Sequence, residues 1–233
     1  MVSLVSAFDA AAVLVSVNIG VATPTAYSDV PVTGIDKRPV ADAIEIRDPG
    51  TDRTHVSGLS GDAICDVRHH GGTNQAVYAY AREDLDVWEA ELGRPLRSGM
   101  FGENLTTRHL DVSGALIGEQ WQVGDQCVLQ VTSPRIPCRT FAGWLAEKGW
   151  EKRFTHRGAP GAYLSVVNPG QVRAGDAITV VHRPSHDVTI NFMFRALTTE
   201  KRLMPELLAA GDALTEEIRE DVAARMAAQQ TRP

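Results

Sequence analysis

A single thiol stands among two guanidinium groups in Thr132-Ser133-Pro134-Arg135-Ile136-Pro137-Cys138-Arg139. Cations within reach of a thiol favour its thiolate, the form that attacks electrophiles and ligates soft metals. The preceding Gln126-Cys127-Val128-Leu129-Gln130-Val131 alternates polar and apolar residues as a half-buried strand does, and Pro134 and Pro137 interrupt the ladder. Cys138 is therefore expected on irregular backbone just beyond a strand end. Phe141, Trp144, Leu145 and Lys148 predict a short helix directly after it, whose N-terminus would add positive partial charge beside the sulfur. Cys138 is the reactive candidate, whereas Cys65 and Cys127 read as small buried hydrophobes.

A second stretch able to do chemistry is Arg68-His69-His70-Gly71-Gly72-Thr73-Asn74-Gln75, in which two glycines allow positive φ or a close approach of backbone to a ligand. A Cys-His hydrolase with His69 or His70 as base is the generic alternative, but no signature of such hydrolases accompanies the thiol. A protein-only metal site fits poorly, because adjacent histidines point in different directions and no third ligand is spaced to join them. Lys37, Arg38, His69, Arg135 and Arg139 instead suit an anionic ligand whose reactive centre is held by Cys138. In Phe101-Gly102-Glu103-Asn104-Leu105, Asn104 taken alone reads as a turn cap.

The elements that must position these groups are mostly short strands. Ala12 to Asn18, Ala43 to Arg47, Ala76 to Tyr80, Gly161 to Val167 and Ala177 to Val181 alternate or run apolar between glycine turns, which suggests a barrel. Arg82 to Leu92 carries Leu85, Trp88 and Leu92 at helical spacing and ends at Gly93, predicting an amphipathic helix with a glycine C-cap. After Arg183-Pro184-Ser185 no strand pattern remains. Ile190, Met193, Phe194 and Leu197 predict one helix; Leu203, Leu207 and Leu208 a second that stops near Gly211; Leu214, Ile218, Val222 and Met226 a third. Two units follow, residues 1–185 and residues 186–233. Helices this short are expected to pack on the barrel or on a second subunit, so a homodimer is admitted.

The chain has 233 residues, 43% apolar and 22% charged, with a net charge of −6, an acidic balance that gives no sign of binding nucleic-acid polymers or anionic membranes. Three cysteines without a CxxC imply neither a disulfide framework nor structural zinc, and fit a reducing compartment, the cytoplasm. The N-terminal apolar run lacks a basic region and is broken by Asp9, so it reads as a ragged start and not a signal peptide.

The ordered set Thr33-Gly34-Ile35-Asp36-Lys37-Arg38-Pro39-Val40, Gly58-Leu59-Ser60-Gly61-Asp62, His69-His70-Gly71-Gly72 with Asn74-Gln75-Ala76-Val77-Tyr78, Phe101-Gly102-Glu103-Asn104-Leu105 and Pro134-Arg135-Ile136-Pro137-Cys138-Arg139-Thr140-Phe141 resembles MOSC-domain proteins of the YiiM type. The resemblance implies a mainly β fold, a MOSC-type β-barrel with peripheral helices and a C-terminal three-helix extension. It further implies a molybdenum cofactor (molybdopterin) with Cys138 as metal ligand and catalytic residue, and reduction of N-hydroxylated compounds such as hydroxylaminopurines and amidoximes. A cofactor or sulfur carrier without reductive turnover is the alternative, and the resemblance also admits pyridoxal phosphate binding. On the same footing, Thr132, Ser133, Arg135 and Arg139 would hold the pterin phosphate, while Lys37, His69, His70, Gly71 and Asn104 close the pocket. The chain carries no iron–sulfur spacing, flavin fingerprint or GxGxxG turn, so a separate reductase is expected to donate electrons.

Overall fold

The computed structural model describes residues 10–50 and 57–230, so the reading of residues 1–9 as a ragged start lies outside the described residues. In chain order the strands are β1 (Val13–Gly20), β2 (Thr23–Pro24), β3 (Val32–Thr33), β4 (Lys37–Val40), β5 (Ile44–Ile46), β6 (Val77–Ala81), β7 (Leu105–Arg108), β8 (Gln120–Val123), β9 (Cys127–Pro134), β10 (Ala162–Asn168), β11 (Gly170–Val172) and β12 (Ile178–His182). The α-helices are α1 (Arg82–Leu92), α2 (Arg139–Leu145), α3 (Trp150–Arg157), α4 (Ile190–Leu197) and α5 (Glu216–Gln230), with 3₁₀ segments at Thr73–Gln75 and Lys201–Ala213.

Eight strands form one sheet in the order β12-β8-β9-β10-β6-β7-β1-β4. Its neighbours are antiparallel except β6 and β7, which α1 joins by the crossover that a parallel pair requires. The sheet does not close into the expected barrel. Its edge strands β4 and β12 share no ladder; β4 occupies one edge of β1 from Val17 onward, leaving only the first residues of β1 to reach β12. There Ile178 N donates to Ala12 O at 2.8 Å and Leu14 N to Asp176 O at 2.9 Å, around a single bridge between Val13 and Ala177. The sheet therefore curls back on itself and stops.

Along β9, Cys127, Leu129 and Val131 face the core, as their alternation predicts. The register then slips: Leu164 opposes Val131 and Tyr163 opposes Ser133, leaving Thr132 as an extra residue. Such a bulge bends and twists a strand. Here it lies just before the segment that carries Arg135 and Cys138.

Two apolar clusters flank the sheet. The larger takes the inward residues of the strands and, from the C-terminal helices, Ile190, Met193, Met204, Leu207, Leu214 and Val222. The smaller is aromatic and centres on Phe101, whose ring lies 5.1 Å from Tyr80, 5.1 Å from Phe141 and 5.4 Å from Trp150. Trp88 of α1 joins it, and α1 ends at Gly93 in the left-handed conformation, φ 65°, with Gly93 N donating to Glu89 O. The middle C-terminal segment is 3₁₀ and not α; Pro205 inside it donates no backbone hydrogen bond, and Gly211 at φ 53°, ψ −128° breaks it.

Candidate active site

Cys138 precedes α2 in extended backbone, φ −130°, ψ 167°, as expected of a residue just past a strand end. Phe141 and Leu145 anchor α2 in the aromatic cluster, so the half-buried Cys138 is held by core packing while it lines two adjoining clefts. The inner cleft holds about 100 Å³ of enclosed space and the outer about 260 Å³. Lys37, His70, Gly71, Asn104, Arg135 and Cys138 all line the inner one, and His69 and Arg139 only the outer.

Arg135 is the most constrained cation of the site. It is 5% exposed, its guanidinium carbon lies 4.1 Å from the centre of the Phe141 ring and 5.1 Å from that of Tyr78, and an Nη1 N–H donates to Phe101 O. Its Nε has no hydrogen-bond partner among the described residues, and no carboxylate there forms an ion pair with it. The acidic groups that feel its charge are Tyr78, Tyr163 and Cys138. Burial pushes the Tyr78 and Tyr163 phenols up, which leaves both neutral. A buried cation so placed calls for an anion in the cleft.

Lys37 is also buried, and its ammonium is paired with the fully enclosed carboxylate of Asp62. Burial lowers the lysine, and Asp62 works against that shift. Asp62 also accepts from Gly20 N at 2.8 Å, from the Ser57 hydroxyl at 2.7 Å and from Asn104 Nδ2 at 3.0 Å. Asn104 is no simple turn cap: its Oδ1 accepts from Tyr78 N and its Nδ2 also reaches Asn18 O, tying β6, β1 and Asp62 together. Beside it Glu103, wholly buried and with its carboxyl raised by that burial, accepts from Gly99 N, Phe101 N and the Thr106 hydroxyl. The residues Phe101 to Asn104 thus build the wall against which Arg135 rests. Gly102 has φ 75°, and a Cβ there would stand 3.3 Å from Arg135 Nη1.

The two histidines point apart, as adjacent positions should. His70 lines both clefts, and burial, reinforced by Arg135, lowers its imidazole to about 4, so it is a neutral hydrogen-bonding group at pH 7. His69 is exposed and faces only the outer cleft. Gly71 and Gly72 take φ 85° and 80°. Arg139 is largely exposed and pairs with Asp29 at 3.3 Å on the outer rim, a geometry that contributes little stability.

Three sequence expectations change here. Thr132 and Ser133 line neither cleft. The bulge buries the Thr132 hydroxyl, which reaches Asn74 O at 2.6 Å and Tyr163 O at 3.0 Å and so tethers the histidine loop to β9 and β10. Cys65 is not core: it is half-buried and lines the inner cleft, with its thiol pushed up by burial against the opposing effect of Lys37. Arg38 lies outside both clefts, paired with Asp36. Gln75 and Thr140, which line both clefts, stood within the matched motifs but were given no site role, and Tyr163, which also lines both, was read only as a strand residue.

Residues 66–179 match the model of the MOSC domain, and the chain is 30% identical over 201 residues to the uncharacterized protein YflK of Bacillus subtilis, covering 83% of this chain and 87% of that one. The chain belongs to the MOSC-domain family. Among solved MOSC-like structures, that of YiiM from Geobacillus stearothermophilus superposes with a TM-score of 0.72 at 25% identity, over 92% of this chain and 98% of that one. A protein of Gibberella moniliformis named "Reductase" is 32% identical over 134 residues, 55% of this chain and 23% of that longer protein. MOSC domains are generally associated with the molybdenum cofactor. The inner cleft's donor set fits that group: a thiol suited to a soft metal, a buried guanidinium without a carboxylate partner among the described residues, and glycines at positive φ at positions 71 and 102.

Proposed function

We propose that this MOSC protein is a molybdenum-cofactor-dependent reductase of N-hydroxylated compounds, with hydroxylaminopurines and amidoximes as its substrate class. The observation that carries it is the buried, carboxylate-free Arg135 lining the same cleft as the Cys138 thiol. Family membership and the relative named "Reductase" support it. When bound, the cofactor supplies a redox-active metal able to accept oxygen from an N–O group.

The chain's own groups do the rest. Cys138 is the metal ligand and catalytic residue. Arg135 sets a buried positive charge beside the cleft for an anionic edge of the cofactor, with its guanidinium packed against Phe141 and Tyr78. Lys37, kept in place by Asp62, and His70, neutral at pH 7, hydrogen-bond polar edges of the cofactor, while Asn104 fixes the wall. Gly71 lets the backbone come close. The outer cleft, with His69 and the Arg139–Asp29 pair at its rim, receives substrate. Electrons come from a separate reductase, and the reducing cytoplasm suits the free thiols. In this account residues 1–185 form the catalytic unit and residues 186–233 an extension that braces it.

The test is metal analysis of protein produced in cells that make the cofactor, followed by hydroxylaminopurine reduction with a competent electron donor. Near-equimolar molybdenum with turnover is the expected result. Stoichiometric molybdenum without turnover would make the protein a carrier instead.

A further inference from the structure

Between β1 and β4 the chain leaves the main sheet for a hairpin of its own, in which Thr23–Pro24 pairs with Val32–Thr33 as a separate two-stranded sheet. A ladder so short is marginal in water unless other contacts hold it. Its tip, residues 25–31, bonds mostly to itself: Thr25 N donates to Pro31 O at 3.0 Å, Tyr27 N to the Thr25 hydroxyl at 3.3 Å and Val30 N to the Ser28 hydroxyl at 3.4 Å. Among the described residues, the tip's ion pair to the rest of the chain is Asp29 with Arg139, both largely exposed. A second attachment is steric. Tyr27 rests on α2 at Gly143, where a Cβ would overlap the Cβ and Cγ of the tyrosine, so the ring sits there only because position 143 is glycine. Both attachments fall on the helix that follows Cys138. Ser28 lines the inner cleft and Asp29 the outer, the two clefts that share Cys138.

We propose that this hairpin is a strap over the thiol: it lifts from α2 to admit a ligand and, with Tyr27 seated on Gly143, settles to retain it. The seat is specific, since helix propensity alone would favour alanine at position 143. The exposed Asp29–Arg139 pair adds little to it. Such a strap governs access to the clefts whichever chemistry is done there, so it goes beyond the reductase reading and does not rest on it.

The test is the rate at which iodoacetamide alkylates Cys138 in the cofactor-free full chain, read by peptide mass mapping with the buried Cys127 as internal control. Gly143→Ala, which adds one methyl group under the tyrosine, should raise that rate by about fivefold or more, the effect of overpacking a fitted contact. Tyr27→Ala, which takes the ring off the seat, should raise it as well, and Cys127 should stay unlabelled in both. A Cys138 rate that is unchanged, or raised in only one of the two variants, would overturn the proposal. So would labelling of Cys127 that rises in step with Cys138, which would assign the acceleration to general loosening. Because no molybdenum enters the assay, its failure would leave the reductase reading standing, and a protein that binds no molybdenum would leave the strap standing.

Discussion

The guanidinium of Arg135 lies 4.1 Å from the centre of the Phe141 ring, and both residues flank Cys138 in sequence, so one aromatic surface fixes the cation and the helix that follows the thiol. Arg135 can therefore be replaced without emptying the core. In Arg135→Met the thioether chain fills much of the space while the charge is lost. Molybdenum retained through purification should fall by at least about tenfold, as loss of a hydrogen bond to a charged group implies. Unchanged retention, measured by elemental analysis, would take Arg135 out of the cofactor site.

Lys37 and Asp62 are enclosed together, so breaking the pair from one side leaves a buried charge alone. Asp62→Ala should cost roughly 3–5 kcal/mol in urea unfolding. The double variant Lys37→Met with Asp62→Ala should recover part of that loss, since it removes both charges. A double variant as unstable as the sum of the two single ones would show that the ions do not interact.

The imidazole of His70 is lowered to about 4 by burial and by Arg135, against about 6.5 in an unfolded chain. Between these values the unfolded chain binds more protons than the folded one, so stability must decline as pH falls from about 6.5 toward 4. His70→Gln should flatten that part of the profile. Urea midpoints at pH 7 and pH 5 would expose an error here: an equal drop in parent and variant would assign the acid sensitivity elsewhere.

The three thiols should differ in access. Cys127 is fully buried and pushed up to about 12, whereas Cys65 and Cys138 line the inner cleft. Alkylation of the native, cofactor-free protein followed by peptide mass mapping should mark Cys65 and Cys138 and spare Cys127. Loading with cofactor should protect Cys138. Labelling of Cys127 at a comparable rate would contradict the packing of β9.

How much of this could be read beforehand follows from the range of the forces involved. Helix α1, with its Gly93 cap, and the placing of Cys138 beyond β9 are local consequences of spacing and of two prolines, and they stood out in the chain. The bulge at Thr132 did not, because it arises from pairing with Tyr163 some thirty residues on, and with it Thr132 and Ser133 line neither cleft. That Lys37 is paired with Asp62 was not legible either, because the two meet only across the fold. Cys65 was read as core because nothing near it in sequence signals a cleft built by Lys37, His70 and Arg135. The open sheet, too, depends on which edge of β1 is occupied by β4, and alternation alone carries no such information.

The most direct measurement is molybdenum content and hydroxylaminopurine reduction in the parent protein beside Cys138→Ala, both purified from cells that synthesise the cofactor. The account predicts near-equimolar metal and turnover in the parent, with metal or turnover lost in the variant and thermal unfolding little changed. A variant that holds as much molybdenum and reduces substrate as fast as its parent would contradict it.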